Sequence, residues 1–405
     1  MKTLKFKCTV NAPASEVYRS FTVSTALREW FCNAAQTDPR KGGRLYLWWN
    51  GGYYTAGEFI ALAPNKKIAF KWQGRNEPSA TRVSVSIAEK NGKAQIALAH
   101  AGIGVGKKWI PAAREFERGW NVALENLQAV LETGQDLRFT RRPLLGIAVG
   151  FFNAEEAGKL GVPVTQGVRL DGVAEGMGAQ KAGLQKDDVI VKMGKIPVTG
   201  YTALAHALQG KRAGDKIPVV LYRGAEKKTV TMELSGRVLP NVPPTARALA
   251  DAVRAVNAEL NAELDALLNG ISESAAAHKP SPNEWSACET LAHLIAGERA
   301  NYFALYDFIC DSERAYDTFD NLDNLPEQIA ATVQAYGTLA ELAREYKRNQ
   351  AETIAMLETL PDHFVAHTGT YWRAALPFLQ SADHTRAHFK QMRAAIEHWK
   401  LEVGG

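Results

Sequence analysis

His384 and His388 stand four residues apart in SADHTRAHFK (381–390), a stretch that reads as helix. Helical geometry carries side chains at i and i+4 to one face, so both imidazoles point the same way, one turn apart. His293 lies in ETLAHL (289–294), on another helix of the same predicted bundle. Three imidazoles converging between helices suit a borderline divalent ion such as zinc, nickel or iron, with one coordination position open. An ion held that way binds water and lowers its pKa, or accepts and activates a thiolate. A ligating histidine needs a neighbour that fixes its ring. Glu289 precedes His293 by four residues on the same helical face, which makes it the candidate orienting group or proton acceptor. Asp383 adjoins His384, but consecutive side chains diverge on a helix.

The remaining histidines carry less. His363, His367 and His398 read as surface or loop residues, His100 as a structural residue ending a strand, and His206 as part of a short helix in the middle of the chain.

At 405 residues the chain is too long for one ordinary core, and two to four domains are expected. Hydrophobic content of 46% with 22% charged residues describes a globular composition. A net charge of +5, without a run of basic residues, argues against nucleic acid as a partner. Cys8, Cys32, Cys288 and Cys310 show no C-x-x-C spacing. They read as buried thiols in a reducing, cytoplasmic setting. The opening MKTLKFKC alternates like a strand and shows no apolar h-region, so a secretory signal is not expected. The apolar stretch from Pro143 to Phe152 is too short for a bilayer span, and no membrane association is expected.

Three stretches of different grammar must position these residues. Residues 1–137 alternate with period two at Leu4, Phe6, Cys8 and Val10, then give short helical pieces at Pro13–Phe21 and Thr25–Phe31. Strand-like runs follow at Arg44–Trp49, Tyr53–Ala63, Lys67–Trp72, Thr81–Ile87 and Lys93–His100, with turn signals such as Asn91-Gly92 between them. Phe116, Trp120, Ala123, Leu124, Leu127 and Leu131 recur at helical spacing in a long helix over Glu115–Glu132. A sheet wrapped on one terminal helix leaves a cavity between them.

The runs DPRKGGRL (38–45), GEFIALAPNKKIAFKW (57–72) and GWNVALENL (119–127) occur in the order found in the SRPBCC (START-like, helix-grip) superfamily. The segment most resembles the branch related to the activator of the heat-shock protein 90 ATPase. The resemblance implies an α+β helix-grip domain over 1–137 with a cavity for a small hydrophobic ligand. Trp48, Trp49, Trp72 and Trp109, with Trp120 on the long helix, are the candidates to line it. Such a fold implies no fixed chemistry.

Residues 143–236 switch to short strands with a glycine-rich rhythm. GVAEGMGAQKAGLQKDDVIVKMGK (172–195) resembles an HtrA-type PDZ domain, a mainly-β fold with helices. RPLLGI (142–147) falls where that family places its carboxylate-binding loop. The resemblance implies that Leu144, Leu145, Gly146 and Ile147 receive a C-terminal or extended peptide, with Leu204 and Leu208 as the wall of a side-chain pocket. No protease domain accompanies it, and the chain has no G-x-S-x-G elbow.

A proline-rich linker occupies 237–245, and residues 246–403 read as helices over about 246–272, 284–312, 325–360 and 378–401. The breaks fall at Lys279–Pro282, Asn321–Leu325 and Leu360–Asp362. Four long segments argue for an all-α four-helix bundle. WSACETLAHLIAGER (285–299) with DHTRAHFKQMR (383–393) resembles the DinB/YfiT-like family. Its members carry one histidine on the second helix and an H-x-x-x-H pair on the fourth. His293, His384 and His388 match those positions, which implies a divalent metal and, in some members, thiol transfer, isomerisation or hydrolysis. Such bundles often pair, which leaves the oligomeric state open between a monomer and a homodimer.

The expectation is a multidomain, metal-binding DinB-like protein with peptide- and hydrophobic-ligand-binding modules and hydrolase or thiol-transferase chemistry. Two readings stay open beside it: a non-enzymatic adaptor or chaperone-associated stress protein, and a carrier of a small hydrophobic ligand.

Overall fold

The computed structural model describes residues 1–75, 77–282, 284–313 and 325–403. They divide into two compact units. One joins Met1–Asp136 with Pro240–Gly405, and the other is Leu137–Leu239.

In the first unit the N-terminal segment builds a seven-stranded antiparallel sheet. Its first strand, Lys2–Val10, pairs with its last, Lys93–Ile103, and the order runs back through Thr81–Lys90, Lys67–Gly74, Tyr53–Ala63 and Arg44–Trp49 to Ala34–Thr37. Asn91 and Gly92 both take positive φ, 52° and 72°, the geometry of a tight two-residue hairpin. The strand Ala34–Thr37 escapes sequence reading because AAQT has almost no β-branched or aromatic content; it is held by its register against Trp48 and Leu45. The long helix runs over Ile110–Thr133, beginning a turn earlier than its apolar stripe suggests because Pro111 sits in its first turn. It stops at Gly134, φ +77°, where an added Cβ would lie 2.6 Å from the Trp372 Cβ. Phe116, Trp120, Leu124, Leu127 and Val130 bury one face of this helix against the sheet.

The C-terminal segment of that unit is a four-helix bundle. Its members are Ala246–Leu268, Ala287–Ile309, Leu339–Glu358 and Ser381–Val403; the third packs on the first and second, and the fourth on the second and first. Thr245, Ser286 and Thr338 each cap a helix start with a side-chain oxygen. The single helix expected over 325–360 is two, Pro326–Tyr336 and Leu339–Glu358, because Gly337 (φ +72°) ends the first and Thr338 starts the second. A separate helix, Thr368–Leu379, precedes the last member. Of the expected break at Asn321–Leu325, residues 321–324 lie outside the described residues.

Thr368–Leu379 packs against Ser24–Trp30 and Ile110–Thr133, so the helix-grip segment and the bundle share a buried face. Glu29 lies in it, 4% exposed, beside Arg19 and Thr370. Arg373 and Arg28 both pair with Glu313, at 2.6 and 3.2 Å.

The second unit is a small antiparallel sheet of Ile147–Gly150, Val168–Val173, Val189–Met193, Lys216–Arg223 and Glu226–Glu233, with Ile147–Gly150 at one edge. Its short helices are Ala154–Leu160, Gly178–Lys181 and Tyr201–Ala207. Asp188, fully buried, takes a two-point contact from Arg223 at 2.7 and 2.9 Å.

Candidate metal centre

His293 projects from Ala287–Ile309, and His384 and His388 project from Ser381–Val403, the helix packed beside it. One nitrogen from each of the three rings lies within 4.8 Å of the other two. A common centre is therefore no more than about 2.8 Å from any of them, near the ~2.0–2.1 Å of a zinc–imidazole bond. Ring centroids are 4.6 Å apart for His293 and His388, and 4.5 Å for His384 and His388. The donor set, three imidazoles with no acidic side chain among them, fits a borderline divalent ion.

Burial is graded across the site. His293 is 3% exposed, His388 half-buried and His384 exposed. The Trp285 ring covers one side, with its centroid 5.0 Å from that of His293 and stacked 6.4 Å from that of His388. Access is thus from the His384 side. His388 Nδ1 meets Gln391 Oε1 at 3.1 Å. A carboxamide oxygen only accepts, so Nδ1 carries the proton and Nε2 is left with its lone pair. Gln391 was not singled out in the sequence, although its i+3 spacing from His388 is a usable signal.

The Glu289 carboxylate is engaged elsewhere. One oxygen accepts from the Ser286 amide at 2.9 Å, closing a capping box, and the other from Lys279 at 2.9 Å. Burial pushes its acidity down, but the Ser286 amide and the Lys279 ammonium outweigh this and hold its pKa below the usual carboxylate range. Glu289 therefore fixes the start of the helix that carries His293. Behind the site, Thr385 and Gln350 bond to the buried Tyr346 hydroxyl, and burial near Gln350 pushes Glu298 up to about 7.

In the middle unit Leu145 and Leu204 are buried in one cluster, with Ile147 and Leu208 packed on it and Leu144 half-buried beside them. The Leu145 carbonyl accepts from Ala179 and the Gly146 carbonyl from Ala174. Across trans peptide planes the following amides, those of Gly146 and Ile147, must point the opposite way. Gly146 needs its positive φ of 74°, and a Cβ there would sit 2.3 Å from the Met177 Cβ. Val149 and Phe151 stand exposed on and just beyond the edge strand.

In the helix-grip segment Trp72, Trp109 and Trp120 are buried and Trp48 is half-buried. Trp72 and Trp120 have centroids 5.9 Å apart, and Phe31 stacks on Trp120 at 4.9 Å. His100 lies between Thr81 Oγ1 (2.7 Å) and the Trp120 indole N–H, which donates to its Nδ1 at 3.1 Å; burial holds its pKa down to about 4. A groove of about 550 Å³ runs along Lys5–Thr9 and the helix residues Asn121, Leu124, Glu125 and Gln128, and none of the five candidate tryptophans, Trp49 included, lines it.

Residues 11–132 match the family model of activator of Hsp90 ATPase homolog 1-like proteins, residues 143–234 that of PDZ domains, and residues 257–392 that of the DinB superfamily. The chain is a tandem of three family-matched segments. His293, His384 and His388 all fall in the DinB-matched segment. The chain is similar to a serine protease Do-like HtrA of Lactococcus lactis, 35% identical over 99 residues, covering 23% of this chain and 24% of that protein. A probable periplasmic serine protease do/HhoA-like of Haemophilus influenzae is 32% identical over 114 residues, covering 28% and 24%. The chain thus spans about a quarter of the length of the curated relatives it matches. Among solved structures, an HSP90 activator from Plasmodium falciparum is 22% identical, with a TM-score of 0.29 over 32% of this chain and 96% of that one. The Aha1 dimer from Colwellia psychrerythraea is 18% identical, with a TM-score of 0.30 over 33% and 97%. At these scores neither likeness carries a functional argument. No described helix is long and apolar enough to cross a membrane.

Proposed function

We propose that this chain is a divalent-metal protein of the DinB type, with His293, His384 and His388 as the ligands. The observation that carries this is the gathering of those three ring nitrogens from two neighbouring helices, with Gln391 fixing one ring. Zinc, nickel and iron all suit the set. A bound ion would supply Lewis acidity and an activated water or thiolate, the chemistry of a hydrolase or a thiol transferase. The protein's own part is to orient the His388 ring through Gln391, shield one side with Trp285 and leave the His384 side open. The PDZ segment captures a peptide end and the helix-grip segment a small hydrophobic ligand. The four free cysteines support a reducing, cytoplasmic compartment. The test is elemental analysis of the purified protein beside a His384→Ala/His388→Ala variant. Near-stoichiometric metal in the first and little in the second supports the reading; equal, sub-stoichiometric metal in both sinks it.

A second reading is favoured by the loop at Gly146, whose outward amides sit beside an edge strand with exposed Val149 and Phe151. It makes the chain a non-enzymatic adaptor or chaperone-associated stress factor in which peptide capture is the working step.

A further inference from the structure

A second group of potential ligands lies at the other end of the helix that carries His384 and His388. His398 and Glu402 stand four residues apart on Ser381–Val403, again on one face. His278 completes the group from the C-terminal cap of the short helix Glu273–Ala277, which packs on Ser381–Val403 and buries Ala275 and Ala276. Sequence reads His398 as a surface or loop residue; it is half-buried on the last helix, and its partner His278 is 120 positions away in the chain. That separation is why no local spacing reveals the pair.

The distances decide what the group can hold. His278 Nε2 and His398 Nδ1 are 3.0 Å apart. Glu402 brings one carboxylate oxygen to 3.5 Å from His278 Nε2 and the other to 3.8 Å from His398 Nδ1. Ligands about 2.0–2.2 Å from a tetrahedral ion stand about 3.3–3.6 Å from one another. The three edges scatter around that value. Two imidazole nitrogens facing at 3.0 Å share either one proton or one cation, and the carboxylate beside both supplies a third, anionic donor for a cation.

The geometry points to a second divalent-metal site, made by His278, His398 and Glu402, that takes a borderline first-row ion such as zinc. It lies about 15 Å along the helix from His388, from ten residues of rise, and does not share ligands with the first centre. His398 and Glu402 fall beyond residues 257–392 and His278 within them, so the matched part of the bundle does not contain the whole site. Two nitrogens and one oxygen, with Glu402 exposed and both histidines half-buried, describe an accessible site that exchanges its ion with solvent. The two sites draw on the same two stretches of chain, 278–293 and 384–402. Loading of the outer site would clamp the last helix to the Glu273–Ala277 corner.

The test is zinc titration of the 405-residue chain against a chromophoric chelator. Wild type is expected to bind two equivalents, the His384→Ala/His388→Ala variant one, and His278→Ala/His398→Ala one. Combining all four substitutions abolishes binding. Circular dichroism of each variant checks that the helices remain. If wild type binds one equivalent that only His278→Ala/His398→Ala removes, the outer site stands and the inner one fails. If His384→Ala/His388→Ala binds none, or if its remaining equivalent survives His278→Ala/His398→Ala, the proposed site is overturned and the two imidazoles share a proton only.

Discussion

The Thr370 hydroxyl donates to the buried Glu29 carboxylate, joining the helix-grip segment to the bundle across 341 positions of sequence. Arg19 stands 3.5 Å from the same carboxylate. Burial pushes the Glu29 pKa up to about 7, and the nearby Arg19, Thr370 and Arg373 only partly offset it.

A stability signature follows from that shift. A carboxyl whose pKa is raised on folding binds its proton more tightly in the folded state. Its contribution is complete below the ordinary carboxylate range and is lost as pH rises through about 7. Glu29→Gln removes the titration while keeping the shape. Urea melts at pH 5, 6, 7 and 8 should show the variant gaining on wild type as pH rises, by up to ~1.4 kcal/mol per unit. Parallel curves would contradict the assignment.

Gln391 and Glu289 make opposite predictions. Gln391→Ala frees the His388 ring and should weaken metal binding by roughly 10–100-fold with little change in the melting midpoint. Glu289→Ala breaks the capping box and should cost about 1 kcal/mol of stability, with a smaller effect on the metal. Chelator competition and thermal melts of the two variants check this. The reverse order would mean that Glu289 orients the site after all.

These two residues also show where sequence reading reached and where it stopped. His293, His384 and His388 were legible because i, i+4 spacing and a shared bundle bring them together without knowledge of the loops. Spacing alone makes Glu289 an orienting group, yet the same residue closes an S-x-x-E box with Ser286, and the cap and Lys279 take one oxygen each. The pairings of His278 with His398 and of Glu29 with Thr370 depend on how distant helices dock, which no local pattern encodes. The helix-grip alternation gave most of its strands, but Ala34–Thr37 is a strand only because Arg44–Trp49 offers it an edge.

Thiol reactivity should divide the cysteines by burial. Burial, helped by Glu273 and Glu289, pushes Cys288 up to about 11, and Cys32 is buried, whereas Cys310 is exposed. A disulfide reagent at pH 8 should label Cys310 first, and mass mapping should find Cys288 and Cys32 unmodified until the protein is denatured. Early labelling of Cys288 would contradict its packing.

Peptide capture at the edge strand should depend on a free carboxylate. The Gly146 and Ile147 amides project from the loop, so a short peptide with an apolar C-terminal residue should bind and its C-terminally amidated form should bind at least tenfold more weakly. Calorimetry with the two peptides distinguishes this from unspecific apolar contact, for which both would bind alike.

The central claim is that one ion sits among His293, His384 and His388. Anomalous scattering at the absorption edge of the bound metal, from crystals of the 405-residue chain, tests it most directly. The account predicts one peak about 2.0–2.2 Å from a nitrogen of each of the three rings. Well-ordered rings in metal-supplemented crystals with no anomalous peak between them would contradict it.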